Sequence, residues 1–140
     1  KVRFVNDSKA TNADSTEKAL AAYPRDIHWI VGGQAKAGGI DALKPFFKKI
    51  TRAYLIGDAA DDFAEVLAKA GVPYDRSGTL AVAARQALEE ATAGEGEDPV
   101  VLLSPACASF DQFKDYEDRG NQFRRIVQDL ARSNGSAAAA

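Results

Sequence analysis

Val100-Val101-Leu102-Leu103-Ser104-Pro105-Ala106-Cys107-Ala108-Ser109-Phe110-Asp111-Gln112-Phe113-Lys114-Asp115-Tyr116-Glu117 carries the reading of the whole chain. Its first four residues are β-favouring and free of charge, as in a strand buried on both faces. Small and hydroxyl residues follow at once, and Phe110, Phe113, Phe123, Ile126, Val127 and Leu130 then recur at helical spacing. A strand that feeds a helix through such a corner leaves backbone N–H groups and hydroxyls able to hold an anion.

Outward from that corner, apolar runs and helical patterns alternate. Strands are expected near residues 2–6, 27–32, 52–57, 72–75 and 99–104. Helices are expected near 15–23, 40–49, 59–70, 79–93 and 110–132, the last with a break allowed at Arg119-Gly120. Strict alternation with short turns implies right-handed crossovers and parallel pairing. The expected fold is α/β, a three-layer Rossmann-like domain whose mostly parallel sheet of five or six strands is flanked by helices. In such sheets ligands collect outside the carboxyl ends of the strands. Strand order is not readable from the pattern.

Two further polar corners fall at that end. Val2-Arg3-Phe4-Val5 alternates like a strand and runs into Asn6-Asp7-Ser8-Lys9-Ala10-Thr11-Asn12, which gathers an acid, a base, two hydroxyls and two amides. Ligand binding is one reading; a plain loop is the other, because Asn, Asp and Ser favour turns and helix caps. The second strand ends in Gly32-Gly33-Gln34-Ala35-Lys36, too short for a phosphate loop. Neither G-x-x-x-x-G-K-[ST] nor G-x-G-x-x-G occurs, so a free-standing ATPase or dehydrogenase is not indicated.

Taken together, NDSKATN at 6–12 and LLSPACASFDQFKDYEDRG at 102–120, about ninety residues apart, resemble the C-terminal domain of the Mur ligase family. Gly32-Gly33-Gln34-Ala35-Lys36 and Leu55-Ile56-Gly57 lie between them and resemble that domain's turn and third strand, so the match covers about residues 2–130. The resemblance implies an ATP-driven amide ligation. ATP phosphorylates the alanyl carboxylate of UDP-N-acetylmuramoyl-L-alanine, the amine of D-glutamate attacks the acyl phosphate, and a tetrahedral intermediate expels phosphate. In that family the phosphate loop, the Mg2+ ligands and a carbamylated lysine belong to a preceding central domain, and the nucleotide sugar is held by an N-terminal one. Residues 1–132 are therefore expected to form the amino-acid-binding domain of a three-domain enzyme, excised near Lys1 and inactive alone. Residues 133–140 are expected to be a disordered tail or cloning remnant.

Roles then transfer residue by residue. D-glutamate carries two carboxylates, so its pocket needs cations and hydroxyl or amide donors. Thr11, Lys36 and Ser109 match the family's carboxylate-binding positions, and the backbone around Phe110 and Tyr116 completes the pocket. Lys9 matches a catalytic lysine near the reacting phosphate and carboxylate, and Asp7 an acid on the ATP ribose. No D-x-x-R-type tetrapeptide, used by family members that add a diamino acid, occurs near Ser104, which favours a dicarboxylate. A ligase of the same family adding another amino acid, or extending folate, is the alternative. Each residue also has a plain reading. Asp7 and Thr11 could cap the following helix, Lys36 could be a solvated loop lysine, and Ser109 could cap the last helix. At least one of Phe110, Phe113 and Tyr116 is expected in the core, and Asp115, Glu117, Asp118 and Arg119 on the surface, unless Arg119-Gly120 sets a helix bend.

Composition narrows the rest. A chain of 140 residues suits one domain, since ~150 residues hide roughly 70% of their unfolded surface. A formal net charge of -2 offers no electrostatic reason for a nucleic acid or membrane partner. No apolar run nears the ~18 residues of a membrane span and no basic-then-apolar leader precedes Val2, so a cytoplasmic setting and a monomer are expected. One cysteine and one histidine are too few for a zinc site, and no metal ligand is expected in this domain. Cys107 reads as a small buried residue and His28 as a strand residue. A phospho-accepting receiver module is the rival from another class, because Asp58 ends the third strand. It lacks the lysine such a module needs after the fifth, where Ser104-Pro105 stands, and Asp58 is expected to cap the next helix instead.

Overall fold

In the computed structural model, which describes residues 1–134 and 137–139, Val100–Leu103 forms strand β6 near the middle of a parallel sheet. Around it lie β1 (Val2–Asn6), β2 (Ile27–Gly32), β4 (Ile50–Ile56) and β5 (Tyr74–Gly78), in the order β5-β4-β2-β6-β1. A short strand β8 (Ala137–Ala139) extends the sheet beyond β1, again parallel. It lies within residues 133–140, expected to be a disordered tail or cloning remnant. Counted over the five long strands the order is 4-3-2-5-1, which differs from the 2-1-3-4-5 order of flavodoxin-like receivers.

Two apolar layers sandwich the sheet because alternate strand residues point to opposite faces. Trp29, Val31, Leu55, Val100 and Leu102 meet α1 (Ala13–Ala21), a 3₁₀ helix (Asp41–Lys49) and α2 (Ala60–Lys69) through Leu20, Leu43, Phe47 and Phe63. Phe4, Ile30, Tyr54, Val101 and Leu103 meet α3 (Leu80–Ala93) and α4 (Tyr116–Asn134) through Leu80, Leu88, Phe123 and Val127. Trp29, wholly buried, donates its Nε1 to Ser104 O at 2.8 Å, tying the first layer to the end of β6. Truncating such a residue typically costs about 3–5 kcal/mol. His28 is also a buried strand residue, bonded to the Tyr54 hydroxyl at 2.9 Å, and burial lowers its pKa. No helix among the described residues is long and apolar enough to cross a membrane.

Several expected elements form differently, each for a local reason. Residues 41–49 wind as a 3₁₀ helix because Pro45, without an N–H, interrupts an α-helical ladder at its centre. α1 begins at Ala13, where the Asn12 side chain accepts from Ser15 N–H, so neither Asp7 nor Thr11 is the cap. β5 starts two residues later than expected and runs through Asp75 and Arg76. An edge strand tolerates those charges, and Arg52–Asp75 and Arg76–Asp61 pair them.

The last helix starts at Tyr116 rather than near residue 110. Ser109 O instead accepts turn bonds from Gln112 N–H (3.3 Å) and Phe113 N–H (2.9 Å), so Ser109 does not cap it. Asp115 takes that duty, accepting from Asp118 N–H at 2.7 Å, while Asp118 reaches back to Lys114 N–H. Of the three aromatics, Phe113 packs against the α3–α4 core, Phe110 is 66% exposed and Tyr116 38%. α4 continues through Arg119-Gly120 without a break.

Candidate functional site

The outgoing connections of β1 and β2 cover one face of the sheet, while that of β6, which lies between them, leads to α4 on the other. Such a divergence opens a crevice at the carboxyl ends. Backbone bonds then knit the three corners together. Asp7 N–H donates to Leu103 O at 2.8 Å, Ala106 N–H to Ala10 O at 3.0 Å, and Gly32 N–H to Pro105 O at 3.0 Å. Ala106 takes a positive φ of 59° to make its bond, an uncommon conformation for a residue with a Cβ.

The second and third corners share a short antiparallel ladder that periodicity does not reveal, β3 (Gln34–Ala35) with β7 (Cys107–Ala108). It requires Gly33, since a Cβ there would sit 2.5 Å from Ala108 O. A fourth corner joins through Asp111, whose Oδ2 accepts from Asp58 N–H at 3.0 Å. Asp58 itself is exposed and does not cap α2, whose N-cap is Ala59 without a side-chain bond.

Asp7 is half-buried, its Oδ2 accepting the Ser104 hydroxyl at 2.7 Å. Burial raises its carboxyl above the usual range, opposed by that hydrogen bond and by Lys9. Lys9 is exposed and, with Tyr116, Ser8 and Asn121, lines an open depression of about 390 Å³ between the β1 corner and the start of α4. Lys36, also exposed, lines a separate depression of about 240 Å³ with Asn12, Asp14 and Gly38. Thr11 stands beside Asn12, relieved of capping. Ser109 is 2% exposed, and its hydroxyl has no hydrogen-bond partner among the described residues. Phe110 stands in solvent next to it.

Burial pushes the Cys107 thiol up to about 12, so it is neutral at physiological pH and packs as a small residue, as expected. Two residues were placed wrongly or overlooked. Arg119, expected on the surface, is 1% exposed. Its spacing of four and eight from Phe123 and Val127 puts it on the buried stripe of α4, a signal its charge obscures. Asp111 had no local signal, because its partner is 53 residues away.

Residues 1–107 match the family described as Mur ligase, glutamate ligase domain. The chain belongs to this family. Among its relatives, UDP-N-acetylmuramoylalanine--D-glutamate ligase of Phenylobacterium zucineum is 54% identical over 99% of this chain, and that of Caulobacter vibrioides 57% identical over all of it. The enzyme of the same name from Brucella abortus is 56% identical over 91% of this chain. The chain spans 29%, 29% and 27% of the length of these relatives. The glutamate ligase family thus covers the β1 and β2 corners and reaches Cys107; Ser109 and α4 lie beyond the family match but within the relatives' aligned region.

Proposed function

We propose that this chain is the amino-acid-holding domain of an ATP-dependent ligase that joins D-glutamate to UDP-N-acetylmuramoyl-L-alanine in peptidoglycan precursor synthesis. One observation carries the reading of the site: a buried Ser109 hydroxyl without a partner among the described residues, at the corner that the Lys36 turn adjoins. A hydroxyl left unbonded in a protein interior is costly, and a ligand carboxylate is the acceptor that would satisfy it. Lys36 and Thr11 supply a cation and a second hydroxyl for the remaining carboxylate charge. Phe110 and Tyr116, both exposed here, would be covered when the amino acid and a closing domain arrive.

Orientation is the chemical contribution. Holding the amine beside an acyl phosphate converts an encounter into an effectively unimolecular step, for which roughly 7–11 kcal/mol is available. Lys9 would offset charge developing on the carboxyl and phosphoryl oxygens.

ATP fits this end of the sheet in one respect. Asp7 keeps an oxygen that takes no hydrogen bond among the described residues, an acceptor for ribose hydroxyls. Among the described residues no group of three or more His, Cys, Asp or Glu side chains is placed to hold a metal ion, and Mg2+ is not assigned to this domain. Its ligands belong to a preceding domain in this reading, with residues 1–132 as the functional unit, acting in the cytoplasm within a monomer.

Lys36→Ala in the full-length ligase tests the assignment. The KM for D-glutamate should rise by about tenfold or more, the worth of one charge-assisted bond, with the KM for ATP little changed. Unaltered D-glutamate-dependent phosphate release at low D-glutamate would remove Lys36 from the pocket.

A further inference from the structure

We propose that Arg119 is a positioning residue for the amino-acid cradle: its buried guanidinium fastens the β1 corner, with Lys9 and Thr11, to the β6 corner, with Ser109. The inference rests on the reading of the site given above. Arg119 Nε donates to Ser8 Oγ at 2.9 Å, Nη2 to Ser8 O at 2.6 Å and Nη1 to Cys107 O at 3.0 Å. The Ser8 hydroxyl in turn donates to Tyr116 O at 2.7 Å, so loop, strand and helix start close on one side chain. From these anchors the cradle is near in every direction. Lys9 adjoins Ser8, Ser109 follows Cys107 by two residues, and Cys107 pairs with Ala35, the neighbour of Lys36.

The absence of an ion partner is what separates this side chain from a simple brace. No carboxylate forms a salt bridge with Arg119 among the described residues, and Asp111, whose charge reaches it, already accepts Asp58 N–H. Burial draws the guanidinium pKa down to about 10, which leaves it a cation at neutral pH. A brace needs no charge, and burying one is costly where apolar packing would serve. A cation with no salt-bridge partner among the described residues, whose desolvation outweighs the opposing charge of Asp111, adds positive potential to the crevice beside it, where an anionic ligand would offset it.

D-glutamate would span both corners, whereas the nucleotide touches the β1 corner alone, so loosening Arg119 should affect the two substrates unequally. Initial rates of the full-length ligase, with each substrate varied in turn, test this for Arg119→Lys, Arg119→Met and Ser8→Ala, alongside thermal melts. Arg119→Lys keeps the charge but cannot span three acceptors, and should raise the KM for D-glutamate about tenfold; Arg119→Met, which also loses the charge, should raise it further. The KM for ATP should stay within about twofold, and Ser8→Ala with Arg119→Lys should cost less than the product of the single effects, as for one shared network. Should the methionine variant fail to fold, the other two still decide. A folded Arg119→Lys enzyme with unchanged D-glutamate KM, or with equal rises for both substrates, overturns the proposal. Loss of the reaction assignment is distinguishable, since the unmodified enzyme would then show no D-glutamate-dependent phosphate release.

Discussion

Gly32→Ala is expected to destabilise the domain by about 4 kcal/mol and to lower its melting temperature by roughly 10 °C. Gly32 holds φ at +135°, a region closed to residues with a Cβ, and an added methyl would lie 2.0 Å from Ile56 O and 2.9 Å from Ile56 N. Neither neighbour can give way cheaply. Ile56 is the register partner of Gly32 in the β2–β4 ladder, and Gly32 N–H is held by Pro105 O. Backbone strain of roughly 1–3 kcal/mol and overpacking of similar size then combine against a total stability of about 5–15 kcal/mol. Urea unfolding followed by circular dichroism measures the difference, and a loss below about 1 kcal/mol would show that the β2 corner yields more readily than its contacts imply. Because Lys36 follows this corner by four residues, its position depends on the same glycine.

Ser109→Ala should move stability and binding in opposite directions. The hydroxyl is buried and has no hydrogen-bond partner among the described residues, so its removal is expected to stabilise the domain by about 1 kcal/mol, or roughly 2–4 °C. In the full-length ligase the same change should raise the KM for D-glutamate about tenfold or more, since a hydrogen bond to a charged group contributes about 1.5–3 kcal/mol. A gain in stability bought with lost function is common at binding sites. Thermal melts of the domain and initial rates of the enzyme check the two halves independently. A destabilised variant with unchanged KM would make Ser109 a structural residue.

What could be read from the residues was governed by how far each signal travels along the chain. Val100–Leu103 and Ile27–Gly32 announce themselves because both faces of those strands are buried and charge is excluded. Residues 41–49 have the apolar spacing of an α-helix, and the effect of Pro45 on its type was missed. Phe110 and Phe113 imitate a helical repeat over one turn, although one faces solvent and the other the core. The ladder of Gln34–Ala35 with Cys107–Ala108 joins segments more than seventy residues apart and leaves no periodicity to read. At the site, the corners were legible as clusters of polar residue types after strands, and their convergence follows from β6 lying between β1 and β2, which periodicity does not encode. Arg119 was misplaced because charge was weighed above its position on the α4 stripe.

An amide chemical-shift titration of this chain with D-glutamate, with L-glutamate as control, asks whether the tips of β1, β2 and β6 form the proposed cradle for a dicarboxylic amino acid. D-selective shifts confined to residues 7–11, 36 and 109–116, diminished in Ser109→Ala, are the expected result. Shifts of equal size with both enantiomers, or D-glutamate shifts that leave residues 36 and 109 untouched, would contradict it.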